Sequence, residues 1–283
     1  MADESRFETL ISAEDLAASL LRSDLVVLDA RSSLGDPAAC AAAYRQGHVP
    51  GARFADLDKD LSDHSLPGGR HPWPRAESFT DALGQWGVSP DDQVVVYDAG
   101  DGALAAARAW FLLRALGHRK VAVLDGGWVR WTALGLPAEI AVPAPQRTTY
   151  EARFDPRRLL GASQVQAHLE KGGLLLDARA RERFLGEVEP LDRVAGRVPG
   201  ARNRPYVENL RDGRFKPAGE LAVEFGAVLE GHPPEDVVVM CGSGVTACHH
   251  LLAMAHAGLH GGKLFTGSWS GWIEDPARPI ARG

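Results

Sequence analysis

The chain of 283 residues repeats its own landmarks in the same order, and this duplication constrains its fold more than any other feature. Leu25-Val26-Val27-Leu28-Asp29-Ala30-Arg31 returns as Leu174-Leu175-Leu176-Asp177-Ala178-Arg179, and Gly47-His48-Val49-Pro50-Gly51-Ala52 returns as Gly196-Arg197-Val198-Pro199-Gly200-Ala201. Val94-Val95-Val96-Tyr97-Asp98 returns as Val237-Val238-Val239-Met240-Cys241, and Gly127-Trp128-Val129-Arg130-Trp131 as Ser268-Trp269-Ser270-Gly271-Trp272. A period of half the chain is a duplicated domain and not a solenoid. Within each half, short runs of Val and Leu alternate with helical stretches such as 105–116 and 221–229, the pattern of a parallel sheet covered on both faces. The expected architecture is therefore α/β. Residues 1–140 form one domain, 141–156 an extended linker carrying Pro143, Pro145 and Pro156, and 157–283 a second domain.

The duplication also separates scaffold from chemistry: what both halves keep serves the fold, and what only one half carries is a candidate for function. Asp29 and Asp177, the two Val-Pro-Gly-Ala turns and the paired tryptophans read as scaffold. Cys241 faces Asp98, Ser243 faces Gly100 and His48 faces Arg197, so the fold does not dictate those positions. Cys241-Gly242-Ser243-Gly244-Val245-Thr246-Ala247 follows an apolar run, which puts a thiol where a buried strand gives way to a helix. In such a turn small residues let backbone N–H groups curl around the sulfur, and the positive end of the following helix favours thiolate. The competing reading is a buried structural cysteine at a strand end.

A formal net charge of −6 with no dense basic stripe gives no footprint for nucleic acid or for an anionic membrane surface. No stretch approaches the roughly 18 apolar residues needed to span a bilayer, and Met1 to Leu21 has no continuous apolar core, so a soluble cytoplasmic protein is expected. Cys40, Cys241 and Cys248 fit neither a disulfide framework nor zinc-ligand spacing. His249-His250 beside Cys248 reads as core or solvent-facing, because adjacent helical positions point in different directions. The Gly-rich segments 125–127 and 242–244 lack both phosphate-binding spacings.

The Cys-Gly-Ser-Gly-Val-Thr-Ala loop after a strand, the two related halves, and Gly267-Ser268-Trp269 with Trp272 resemble the 3-mercaptopyruvate sulfurtransferases of the two-domain rhodanese family over nearly the whole chain. The resemblance implies two tandem rhodanese-like domains, of which only the second is catalytic. It implies that Cys241 carries sulfur as a persulfide from a small-molecule donor to a thiol, thioredoxin-like or cyanide acceptor, with no metal or organic cofactor. It further implies that Arg183 grips the donor's anionic group, for which the planar fork of a guanidinium suits an α-keto acid; a surface ion pair is the alternative. His48 and Ser243 match two members of an Asp/His/Ser relay. Asp36 lies about where the relay's acid belongs, although a solvated loop carboxylate reads equally well. Gly242, Gly244, Val245 and Thr246 complete the donor-facing loop.

Two departures from the family pattern stand out. A second donor-binding arginine often follows Glu-Pro-Glu-Pro, and here the sequence is Glu187-Val188-Glu189-Pro190-Leu191-Asp192-Arg193, with Arg193 the candidate in an open register. Arg197 stands where a His is usual, either adding positive charge near the cleft or decorating its surface. Thiosulfate sulfurtransferases are the nearest alternative. Their loops resemble Cys-Arg-Lys-Gly-Val-Thr, and the absence of both cations here disfavours a dianion more than a monocarboxylate. A Cys-x5-Arg phosphatase needs an arginine where Ala247 stands; a non-enzymatic sulfur-carrier or binding module is the remaining alternative, and a binding module would explain the first half alone, where Asp98 faces Cys241.

Overall fold

Val-rich runs buried along their whole length form the middle of two five-stranded sheets in the computed structural model, which describes residues 7–33, 36–100 and 105–283. The first half runs β1 (Leu10–Ile11), α1 (Ala13–Ser19), β2 (Leu25–Asp29), α2 (Pro37–Gln46), β3 (Arg53–Phe54), α3 (Ala76–Gln85), β4 (Gln93–Tyr97), α4 (Ala105–Ala115), β5 (Val121–Leu124) and α5 (Gly127–Ala133). The second runs β6 (Leu159–Leu160), α6 (Ala162–Glu170), β7 (Leu174–Asp177), α7 (Arg181–Leu185), β8 (Arg202–Asn203), the ribbon strands β9 (Leu210–Arg211) and β10 (Arg214–Phe215), α8 (Ala218–Leu229), β11 (Val237–Met240), α9 (Ala247–His256), β12 (Lys263–Phe265) and α10 (Ser268–Trp272). The strand orders, β1-β5-β4-β2-β3 and β6-β12-β11-β7-β8, are the same order of equivalent elements, and every pairing in both sheets is parallel. In the first, Val95 and Tyr97 pack with Leu16 and Trp131 on one face, and the alternation of a strand turns Val94 and Val96 to the other.

The duplicated landmarks are duplicated contacts. Arg31 lays its guanidinium on Asp29 and on the Gly47 carbonyl, over the Trp128 ring at 4.8 Å; Arg179 does the same with Asp177, the Gly196 carbonyl and Trp269 at 4.9 Å. His48 and Arg197 make equivalent bridges, to Glu139 and Ala281.

The chain divides into two compact units, but not at the boundary read from the sequence. Residues 62–73 belong with 155–283, and the rest of the chain to residue 154 forms the other unit. The segment is pinned through backbone: Gly69 N–H donates to Glu274 Oε1 at 2.7 Å and Arg70 N–H to Ser270 Oγ at 3.0 Å. Gly69 has φ +87°, and a Cβ there would lie 2.8 Å from the Gly267 carbonyl oxygen, so only glycine permits the approach. The expected linker is not free either, since Thr148 bonds Gly84 and Val88 and Tyr150 bonds His118.

In α9, His249 and His250 are fully buried and converge on one amide, Asn209 Nδ2, at 2.9 and 2.8 Å, despite their adjacency. His250 Nε2 lies 2.6 Å from the Arg204 carbonyl oxygen, which it can donate to while Nδ1 accepts. Burial, aided by the Arg204 charge, pushes His250 down to about 3 from 6.5. A His held neutral contributes stability that is fully present above the unfolded pKa and is lost as pH falls from 6.5 toward 3. Urea unfolding at pH 7 and pH 5 is expected to show about 2 kcal/mol of this loss, absent in His250→Asn.

Candidate active site

Cys241 directly follows β11 and Ala247 begins α9, so the loop between strand and helix sits at the carboxyl end of a central strand, where open α/β sheets place ligands. The thiol is 2 % exposed and accepts the Gly244 N–H at 3.2 Å. Gly244 reaches φ +79° to present that donor. The loop is held against the start of α10 by Trp269 N–H to the Cys241 carbonyl and Ser270 N–H to the Gly242 carbonyl. Ser243 and Val245 are buried in the loop, and Thr246 caps α9 through its backbone without a side-chain bond. Cys248 supports the loop from behind, donating to the Gly244 carbonyl at 3.3 Å.

The equivalent turn of the first half makes the matching bonds from Trp128 and Val129 to the carbonyls of Asp98 and Ala99. Its glycine, Gly127, has φ +55°, where a Cβ would lie 2.8 Å from the Asp98 carbonyl oxygen. The second half has Ser268 in the same left-handed conformation, φ 49°, an uncommon state for a non-glycine residue. Its hydroxyl accepts the Cys241 N–H and donates to the Phe265 carbonyl, both at 3.1 Å. Asp98 stands where the second half has Cys241 and accepts the Ala106 N–H near the start of α4.

Two guanidiniums face Gly242. A Cβ at that position would lie 3.0 Å from Arg70 Nη2 and 3.4 Å from Arg183 Nη2. Arg183 is oriented by Glu189, with Nη2 to Oε1 at 2.7 Å, and by Asp192 at 3.1 Å. Asp192 also pairs with Arg70. Burial raises the Asp192 carboxyl above its ordinary range, while the Arg70 charge pulls it back down.

The histidine beside Ser243 is His71, with Nδ1 2.8 Å from Ser243 Oγ and 5 % of its surface exposed. His48 does not fill the position expected of it. Its ring nitrogens contact the carbonyl oxygens of Tyr44 at 2.8 Å and Ala141 at 3.2 Å, and its side chain is fully buried in the first unit. Asp36 caps α2, accepting the Ala39 N–H at 3.0 Å, as a solvated loop carboxylate does. Arg193 donates to the Ile273 carbonyl, and Arg197 lies 4.8 Å over the Phe184 ring. Arg70 and His71 carry no motif in the sequence, lying between the Pro-Gly turn and the second apolar run. The two halves differ in length there, which is a signal the duplication test provides.

The rhodanese-like domain model matches residues 12–134 and again 161–275. A probable 3-mercaptopyruvate sulfurtransferase of Pseudomonas aeruginosa is 48% identical over 97% of this chain and 98% of its own. A putative thiosulfate sulfurtransferase SseB of Mycobacterium tuberculosis is 42% identical over 99% of each chain. The crystal structure of SseA from Escherichia coli, described as showing the rhodanese fold and catalytic mechanism of 3-mercaptopyruvate sulfotransferases, superposes with a TM-score of 0.80. It has 35% identity to this chain and covers 93% of it and 100% of the SseA chain. With two domain matches spanning most of its length and both sheets in one strand order, this chain belongs to the rhodanese-like family.

Proposed function

We propose that the protein moves sulfane sulfur from 3-mercaptopyruvate, through a persulfide on Cys241, to a thiol or cyanide acceptor, releasing pyruvate. The observation that carries this reading is a buried thiol in the loop between β11 and α9, with a backbone N–H on its sulfur and two guanidiniums facing the adjacent glycine. The Cys241 thiolate attacks the donor sulfur. An S–S bond forms, the C–S bond breaks, and its electron pair leaves on carbon as the pyruvate enolate. One proton completes pyruvate. The Gly244 N–H stabilises the anionic sulfur. Ser243 passes the proton to the enolate, and His71, not His48, holds Ser243 and adjusts its acidity. The acceptor thiolate or cyanide then takes the outer sulfur and returns the Cys241 thiolate. Asp98 leaves the first unit catalytically inactive.

Arg183 holds the donor's carboxylate with the guanidinium edge that Glu189 and Asp192 leave free. Arg183→Ala is expected to cost about 1.5–3 kcal/mol, roughly 10- to 150-fold in kcat/KM, expressed in KM. Arg183→Lys should restore only part, because an ammonium lacks the planar fork. Steady-state kinetics with 3-mercaptopyruvate check both variants.

Thiosulfate is the second donor to consider, because the M. tuberculosis relative carries that name. The charge beside Gly242 argues against it as the preferred donor: the two guanidiniums there are paired with Asp192 and Glu189, which leaves little net positive charge for a dianion. Initial rates with each donor, using cyanide and a dithiol as acceptors, test the assignment. A thiosulfate kcat/KM above that of 3-mercaptopyruvate would reverse it.

A further inference from the structure

The second half extends a pair that both halves share. In the first half Asp29 and Arg31 pair at 2.6 Å beneath Trp128. In the second, Arg179 pairs with Asp177 at 2.7 Å and also lies 3.5 Å from Glu189, which takes Arg183 at 2.7 Å. Arg183 reaches Asp192 at 3.1 Å, and Asp192 ends on Arg70. Charges alternate along this row, Asp177, Arg179, Glu189, Arg183, Asp192, Arg70, so the formal sum is zero. The last two guanidiniums are those that face Gly242. Glu189 and Asp192 are only 3 % and 4 % exposed, so water does little to screen their fields.

We infer that Asp192 determines specificity for the sulfur donor: it holds Arg70 beside Arg183 and cancels one of their two charges, setting the site for a monoanionic donor over a dianionic one. The inference rests on the sulfur-transfer reading above. A monoanion is bound chiefly through directed N–H groups, which the ion pairs orient without consuming. A second negative charge on the donor meets the field of two buried carboxylates with no net positive charge to offset it. Asp192 acts through the two arginines, so it is a positioning residue and touches no reacting atom. Asn at 192 keeps the shape and one acceptor oxygen but leaves the row with one net positive charge.

The test compares Asp192→Asn, Arg70→Gln and the double variant, measuring kcat and KM for 3-mercaptopyruvate and for thiosulfate at low and high salt. In Asp192→Asn the thiosulfate to mercaptopyruvate ratio of kcat/KM should rise about tenfold, mainly through the thiosulfate KM, with the shift shrinking at high salt. Arg70→Gln should lower the ratio, and the double variant, again formally neutral, should return toward the parent. Equal losses with both donors, or no compensation in the double variant, would leave Asp192 a structural residue and overturn the inference. If Asp192→Asn does not fold, Arg70→Gln decides alone, and an unchanged ratio there rejects the idea. Intact mass after donor exposure separates the two layers: no sulfur gained by the parent protein from either donor refutes the sulfur-transfer reading itself.

Discussion

Replacing Cys241 by Ser is expected to abolish donor-dependent sulfur transfer, a fall of more than ~10⁴-fold, because in the proposed reaction the transferred sulfur is carried on the Cys241 thiol. A serine hydroxyl fits the same loop and can accept the Gly244 N–H, so the variant should fold. It cannot form the S–S bond on which the reaction turns. Intact-protein mass after brief exposure to donor should rise by one sulfur atom in the parent chain and not in Cys241→Ser. Cys40→Ser and Cys248→Ser should keep most activity. Burial raises the Cys40 thiol, which lowers its thiolate fraction, and Cys248 is committed to the Gly244 carbonyl, a bond that a serine can still make. A persulfide mapped to Cys248 would displace the assignment.

The second large effect is expected at the pair His71 and Ser243. Ser243→Ala and His71→Ala should each reduce 3-mercaptopyruvate turnover by about 10²–10⁴-fold, the range for a lost general acid. Thiosulfate turnover should fall much less, since sulfite departs without needing a proton on carbon. The double variant should be little worse than either single one, as the two act as a unit. His48→Gln offers the contrast: its ring nitrogens contact backbone carbonyls, so its loss belongs in the unfolding midpoint and not in the donor ratio. Equal losses with both donors in Ser243→Ala would assign that hydroxyl to loop geometry instead.

The family, the parallel sheets and the place of Cys241 in a strand-to-helix loop were legible in the chain because each depends on a short stretch of neighbours. Four to seven consecutive residues specify a buried strand, and Gly242 to Ala247 specify a turn into a helix, so the pattern survives in one dimension. The repeat strengthened this by showing each stretch twice. The same test placed His48 among functional candidates, since it faces an arginine. The structure places it in a backbone bridge that both halves make, with the chemistry of its ring taken up by carbonyls. Arg193 is near the family's position in sequence, and its side chain donates to the Ile273 carbonyl.

What the sequence determined by itself was the scaffold and the strand-to-helix loop that carries Cys241. Only the tertiary structure decided which charges and which histidine stand beside that loop. His71 and Ser243 are 172 positions apart and Arg70 and Asp192 are 122 apart. No periodicity or spacing records such a pair. Both depend on a twelve-residue segment, Ser62–Trp73, that lies in the first half of the chain and packs with the second. The physical cause is local and small: Gly69 lacks a Cβ, so the backbone can close onto the turn that carries Ser270, and that approach delivers Arg70 and His71 to a loop the chain has yet to reach.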